Sequence, residues 1–252
     1  MKEQKKYAIS VIAGLLTIIV SSIILFSSGS YAVYTANTIR RKLPVYGVGR
    51  DDGALSISFD CAWGTDYTDK ILDTLDFYNV KATFFVVQFW AEKYPDYLKK
   101  IVGRGHEVGT HSKTHPKMSK LSAEEIEEEL KSSVAAIENV TGQKVKLFRP
   151  PFGDYDDKVI TAAENLGLYT IQWNVDSLDW KNLSAEQIAA RVIKKAGSGS
   201  IILMHNNGLH TAESLPLIFT ATQQKGLVYR PISELIYTDD FRITPDGTQI
   251  KN

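Results

Sequence analysis

The chain has 252 residues, 29 of them basic and 29 acidic, for a formal net charge of zero. That balance supplies no field to attract nucleic acid, and no nucleic-acid partner is expected. A single cysteine, Cys61, excludes an intrachain disulfide framework.

The chain opens with Lys2, Lys5 and Lys6, then runs from Tyr7 to Phe26 without a charge. Twenty residues at ~1.5 Å each reach ~30 Å, about the hydrocarbon thickness of a bilayer. Residues 1–32 are therefore expected to hold a retained single-pass membrane anchor at residues 7–26. The lysines stay in the cytoplasm and the rest of the chain lies outside. A cleaved signal peptide, cut after Ala32, is the alternative. Residues 33–52 read as a polar, basic linker and residues 238–252 as a polar tail. Residues 53–237 are long enough for one domain with a large core.

Inside that domain strands and helices alternate. Ala54 to Phe59 reads as a strand and Thr68 to Tyr78 as an amphipathic helix. Ala82 to Val87 is a strand, Pro95 to Val102 a helix, and Glu107 to Thr110 a short strand. Ser122-Ala123-Glu124-Glu125 is a capping box that opens a long helix, with Gly142 as its stop. Val145 to Phe148 is a strand, Asp156 to Leu166 a helix, and Leu168 to Trp173 a strand. A second capping box, Ser184-Ala185-Glu186-Gln187, starts the next helix. Ser200 to Met204, Leu215 to Lys225 and Leu227 to Arg230 complete the series as strand, helix and strand. Seven strands alternating with helices predict a parallel sheet covered by helices. A doubly wound open sheet and a small irregular barrel both fit. The barrel is favoured, because no Gly-rich nucleotide fingerprint follows the first strand.

The chemistry-bearing residues gather at strand ends. His111 and His115, two of five histidines, follow a strand at a spacing that lets two imidazoles converge on one ion. Asp60 ends the first strand, Arg149 the fourth and His205 the sixth; Asp176 and Asp179 lie just past the fifth. In a β/α barrel these positions open on one face. His106 and His210 fit no such pattern and read as surface or second-layer residues.

Five ordered motifs carry a resemblance. Ser58-Phe59-Asp60-Cys61, His111-Ser112-Lys113-Thr114-His115, Arg149-Pro150-Pro151-Phe152-Gly153, Asp176-Ser177-Leu178-Asp179-Trp180 and Leu203-Met204-His205 resemble those of the polysaccharide deacetylases. These have the NodB homology domain and form carbohydrate esterase family 4. With its apolar start, the chain looks most like their membrane-anchored, sporulation-associated subgroup. The resemblance implies an irregular (β/α)7 barrel and hydrolysis of N-acetyl groups on a cell-wall polysaccharide, peptidoglycan or chitin-like. It implies a divalent metal ion, zinc the expected one, with His111 and His115 as ligands. Asp60 matches the general base, Arg149 its partner, His205 the acid that protonates the leaving amine, and Asp179 the residue that orients it. Phe152 lies in the loop whose backbone N–H would meet the oxyanion. Trp180 and Leu203 would wall the acetyl methyl group.

The sequence departs from the family at one position. The family's first motif has a second aspartate, a metal ligand, where this chain has Cys61, and Ala62-Trp63-Gly64 replaces the usual Gly-Pro. A thiolate can bind zinc, but its sulfur sits closer to the backbone than an aspartate oxygen. Cys61 is therefore either a ligand or a small buried residue at a strand end. Asp66 is a further, more distant substitute. Two hypotheses stand: a metal-dependent deacetylase, and a degenerate relative that binds wall glycan without the ion.

Overall fold

The computed structural model describes residues 41–252. The anchor expected at residues 1–32 lies outside the described residues. Among the described residues no helix is long and apolar enough to cross a membrane.

The strands in chain order are β1 (Gly47–Val48), β2 (Ala54–Cys61), β3 (Thr83–Val86), β4 (Glu107–Thr110), β5 (Leu147–Phe148), β6 (Tyr169–Thr170), β7 (Val175–Asp176), β8 (Ile201–His205), β9 (Val228–Tyr229), β10 (Phe241–Ile243) and β11 (Thr248–Lys251). The helices are α1 (Thr68–Phe77), α2 (Gln88–Lys93), α3 (Pro95–Gly103), α4 (Ala123–Thr141), α5 (Asp157–Asn165), α6 (Ala185–Lys195), α7 (Thr211–Gln224) and the short α8 (Ile232–Leu235). Both capping boxes form as predicted, at Ser122 and Ser184.

β2 is the centre of the sheet and is buried along its whole length. Its side chains alternate, as the period of a strand requires. Leu55, Ile57, Phe59 and Cys61 enter the apolar layer shared with α1, α4, α6 and α7. Ser56, Ser58 and Asp60 take the other face. There Ser56 Oγ donates to the Arg230 carbonyl and Ser58 Oγ to that of Ile202. The inner apolar floor is a separate cluster, including Ala54, Phe85, Leu147, Ile171 and Ile201.

The main sheet is parallel throughout, in the order β6-β5-β4-β3-β2-β8-β7, with β9 paired to the start of β2. It curls but does not close, because β6 and β7 do not pair. This corrects the expected barrel to an open, curled half-barrel. The reason lies in the backbone between those edges. Thr170 O accepts from Val45 N–H at 2.9 Å and Val45 O from Gln172 N–H at 2.7 Å. The seam is thus laced by residues 45–48, with Val48 N–H bonded to Gly199 O at 2.8 Å. The end of the expected linker and the expected tail are therefore folded parts of the domain. β1, β11 and β10 form a second, three-stranded sheet in that order.

The lacing generates a stability test. Gly199 has φ +76°, and a Cβ there would stand 1.6 Å from the Val48 carbonyl oxygen. Gly142 has φ +67° with nothing within 4 Å of its added Cβ. Gly142→Ala should cost ~1–2 kcal/mol, the ordinary penalty of a left-handed residue. Gly199→Ala should cost at least ~3 kcal/mol, since backbone must move as well. Urea unfolding of both variants measures this, and equal costs would contradict the laced seam.

Candidate active site

The C-terminal ends of β2, β4, β5, β7 and β8 open into one cleft of about 690 Å³. Asp60, His111, His115, Phe152, Trp180, Leu203 and His205 line it. Strand register explains the convergence, since Asp60 stands opposite Phe85 on one side and His205 on the other.

Asp60 and Arg149 form a buried ion pair, with Nη1 donating to Oδ1 at 2.8 Å. Arg149 is fully buried, lies 4.1 Å from the Phe85 ring centroid, and donates through Nη2 to the Gln172 carbonyl at 3.2 Å. Burial works to raise the Asp60 carboxyl, but the charge of the Arg149 guanidinium and its hydrogen bond hold it below the usual carboxylate value. Asp60 is thus kept ionised and able to accept a proton.

His111 donates from Nδ1 to the Arg149 carbonyl at 2.7 Å, which leaves Nε2 as the lone-pair nitrogen. That Nε2 lies 3.5 Å from Asp60 Oδ2. Burial lowers the pKa of His111 and keeps it neutral. His115 is pushed down to about 4, chiefly by burial. Both rings are therefore unprotonated at neutral pH, as ligation needs, with centroids 4.9 Å apart.

The loop between them is fixed by a residue that sequence reading missed. Glu129 on α4 accepts from Lys113 N–H and Thr114 N–H, both at 2.8 Å, and from Thr114 Oγ1 at 2.6 Å. Ser112 and His115 both have positive φ, so the loop needs such a clamp. One signal was available. Glu129 falls on the helix stripe Ile126, Leu130, Ser133 and Ile137, where a buried carboxylate must have partners.

On the other side of the cleft, Asp179 accepts from His205 Nδ1 at 2.7 Å, His205 N–H at 2.8 Å and Thr211 Oγ1 at 2.6 Å. Burial alone would lower the His205 imidazole. The hydrogen bond to Asp179 and the Asp179 charge outweigh burial and raise it above the usual histidine value. His205 can therefore hold a proton for a leaving amine. Trp180 and Leu203 line the cleft. In the turn at Phe152, φ 59°, the N–H groups of Gly153 and Asp154 bond to the Pro150 and Pro151 carbonyls.

The ligand role considered for Cys61 is not met. Cys61 lies on the helix-facing side of β2, is fully buried among apolar side chains and does not line the cleft. Burial, with the nearby Asp60 charge, pushes its thiol well above the ordinary value, which disfavours the thiolate that zinc requires. Asp66 is exposed and also outside the cleft. Among the described residues no three His, Cys, Asp or Glu side chains converge to hold a metal ion. The residues present do not fit a three-ligand centre. His106 is buried beneath the sheet, accepts from Ala82 N–H and is pushed down to about 4 by burial. His210 pairs with Glu213 at the surface.

The family model for polysaccharide deacetylase matches residues 47–171. The uncharacterized protein YlxY of Bacillus subtilis is 37% identical over 193 residues, covering 77% of this chain and 60% of YlxY. The chain thus spans less than two thirds of that relative. The peptidoglycan-N-acetylmuramic acid deacetylase PdaA of Bacillus subtilis is 30% identical over 212 residues, covering 82% of this chain and 81% of PdaA. A solved structure from Bacillus anthracis, described as a CE4 family pseudoenzyme, is 36% identical with a TM-score of 0.74, covering 76% of this chain and 68% of that one. A mutant of that pseudoenzyme is described as having restored enzymatic activity. The chain belongs to the polysaccharide deacetylase family, with the NodB-type domain of carbohydrate esterase family 4.

The His205–Asp179 pair gives a pH test. In the native chain His205 should titrate above ~6.5, the ordinary histidine value. Stability from the charged pair is complete below that unfolded value and is lost as pH rises through the raised folded pKa. Asp179→Asn should bring the His205 titration below ~6.5. NMR of the His205 ring reads this directly, and an unchanged titration in Asp179→Asn would remove the pairing from the account.

Proposed function

We propose that this protein recognises N-acetylated amino-sugar chains of the cell wall, peptidoglycan foremost, and that its native form has little or no metal-dependent deacetylase activity. The observation that carries this reading is the course of β2. The strand stays paired through Cys61, in register with Val86, so residue 61 faces the helices instead of the cleft. Two histidines remain, and ligand count sets both the strength and the geometry of an ion site. The likeness to a pseudoenzyme of the same family supports the reading, and peptidoglycan is the substrate in PdaA's name.

The chain's own residues keep the proton-handling half of an amide hydrolysis. Asp60, held ionised by Arg149, can take a proton from water. His205, held protonated by Asp179, can give one to a departing amine. Among the described residues there is no third anchor for the ion that would polarise the carbonyl. These intact pairs specifically favour the second reading, an active deacetylase, so acetate release belongs in the test. The charge-free run from Tyr7 to Phe26 after three lysines supports placing the domain outside a membrane, facing the wall. A role in spore formation follows the resemblance to the sporulation-associated subgroup.

Cys61→Asp separates the readings. A carboxylate placed in the apolar layer without a partner should cost ~3–5 kcal/mol. That corresponds to a Tm drop of roughly 6–20 °C in chelator for a domain of this size. Saturating zinc should restore the Tm of Cys61→Asp by drawing the carboxylate toward His111 and His115, and acetate release from N-acetylchitotetraose should appear. The native Tm should not respond to zinc, and native acetate release should match the blank. Zinc-dependent stability and acetate release in the native chain would reverse the assignment and make the protein an active deacetylase.

A further inference from the structure

Trp63 has no place in the reaction chemistry, yet it is built into the cleft. It lines the cleft with 61% of its surface exposed. Among the described residues the exposed tryptophans are Trp63 and Trp180, and both are in this cleft. The loop that carries Trp63 is pinned just beyond it. The Gly64 carbonyl accepts from Trp90 Nε1 at 2.8 Å and from Asn206 Nδ2 at 3.0 Å. Both donors come from buried residues, and Asn206 also bonds Thr68 Oγ1 and, through its N–H, the Asp60 carbonyl. A fixed loop thus presents an indole that the fold does not bury.

The indole continues an aromatic strip. Its ring centroid is 5.0 Å from that of His115 and 6.5 Å from that of Phe89. On its other side His115 is 4.6 Å from Phe152. His115 is therefore held edge-on between two aromatic rings. In the sheet β8 lies between β2 and β7, so the loops bearing Trp63 and Trp180 flank His205. Asn182 and Asn207 line the same cleft with uncharged amides. Aromatic faces beside amide donors suit a ring with apolar C–H faces and polar edges. A pyranose of an amino sugar has that character.

We propose that Trp63 is the stacking platform for a sugar ring adjacent to the one whose acetamide faces His205, so that the cleft selects an oligomer of N-acetylated amino sugars over a single sugar. The inference rests on the glycan-binding reading above and adds the residue that sets ligand length. An indole covering only His115 would be expected to lie down and bury its face. At 61% exposure it keeps that face available.

Calorimetric titration of the full chain with N-acetylchitotetraose and with N-acetylglucosamine tests it, beside sedimentation with purified peptidoglycan. The native chain should bind the tetrasaccharide more tightly than the monosaccharide. Trp63→Ala should weaken the tetrasaccharide about tenfold and leave the monosaccharide unchanged, while Trp63→Phe should keep most of the affinity. Unaltered Tm in both variants shows that the fold is intact, as expected for an exposed side chain. A loss of sedimentation with peptidoglycan in Trp63→Ala assigns the natural ligand to that polymer. Loss confined to the tetrasaccharide assigns it to a chitin-type chain. Tetrasaccharide and peptidoglycan binding both unchanged in Trp63→Ala, or an equal loss for mono- and tetrasaccharide, would overturn the subsite while leaving the glycan-binding reading standing. A native chain that binds neither glycan would overturn both.

Discussion

The buried pair of Asp60 and Arg149 is the constraint on which the site depends. Arg149 is fully buried, so its charge requires a partner, and removing one member of such a pair costs ~3–5 kcal/mol. The same residue does three jobs. Its guanidinium holds Asp60, its second terminal nitrogen holds the Gln172 carbonyl, and its own carbonyl fixes the tautomer of His111. Gln172 N–H in turn bonds Val45, so Arg149 also ties the cleft to the laced seam. Asp60, His111 and the laced seam of the open sheet are therefore positioned together.

Much of this was legible from residue order. Asp60, Arg149 and His205 lie at or just beyond strand ends in the sequence, and a parallel sheet brings strand ends to one face. The capping boxes at Ser122 and Ser184 formed because each is a complete local unit, needing no tertiary contact to specify it. The open seam was not legible. β6 and β7 are two residues each, too short for periodicity to show, and the segment that bonds β6 on one side and Gly199 on the other lies far away in sequence, at residues 45–48. Glu129 was hidden among the acids of α4, and Asn206 and Trp63 lay outside the motifs that carry the family likeness.

Cys61 shows how a motif and a periodicity can disagree. Aligned by motif, it stands where the family has a ligand. Read by alternation, it follows Leu55, Ile57 and Phe59 into the layer under the helices. The structure follows the alternation, because β2 keeps its pairing with β3 through residue 61. The Asp60–Arg149 and His205–Asp179 pairs thus stay at the cleft while residue 61, at the end of the same strand as Asp60, turns away from it. Trp63, two residues on, occupies the rim of the same altered loop.

With two histidines and no third ligand among the described residues, this cleft should not hold an ion tightly. Zinc titration calorimetry of the native chain, with His111→Ala and His115→Ala as controls, tests it most directly. Binding should be too weak to survive dialysis, with the residual signal lost in both variants. One tightly held equivalent of zinc in the native chain, abolished by Cys61→Ser, would contradict it.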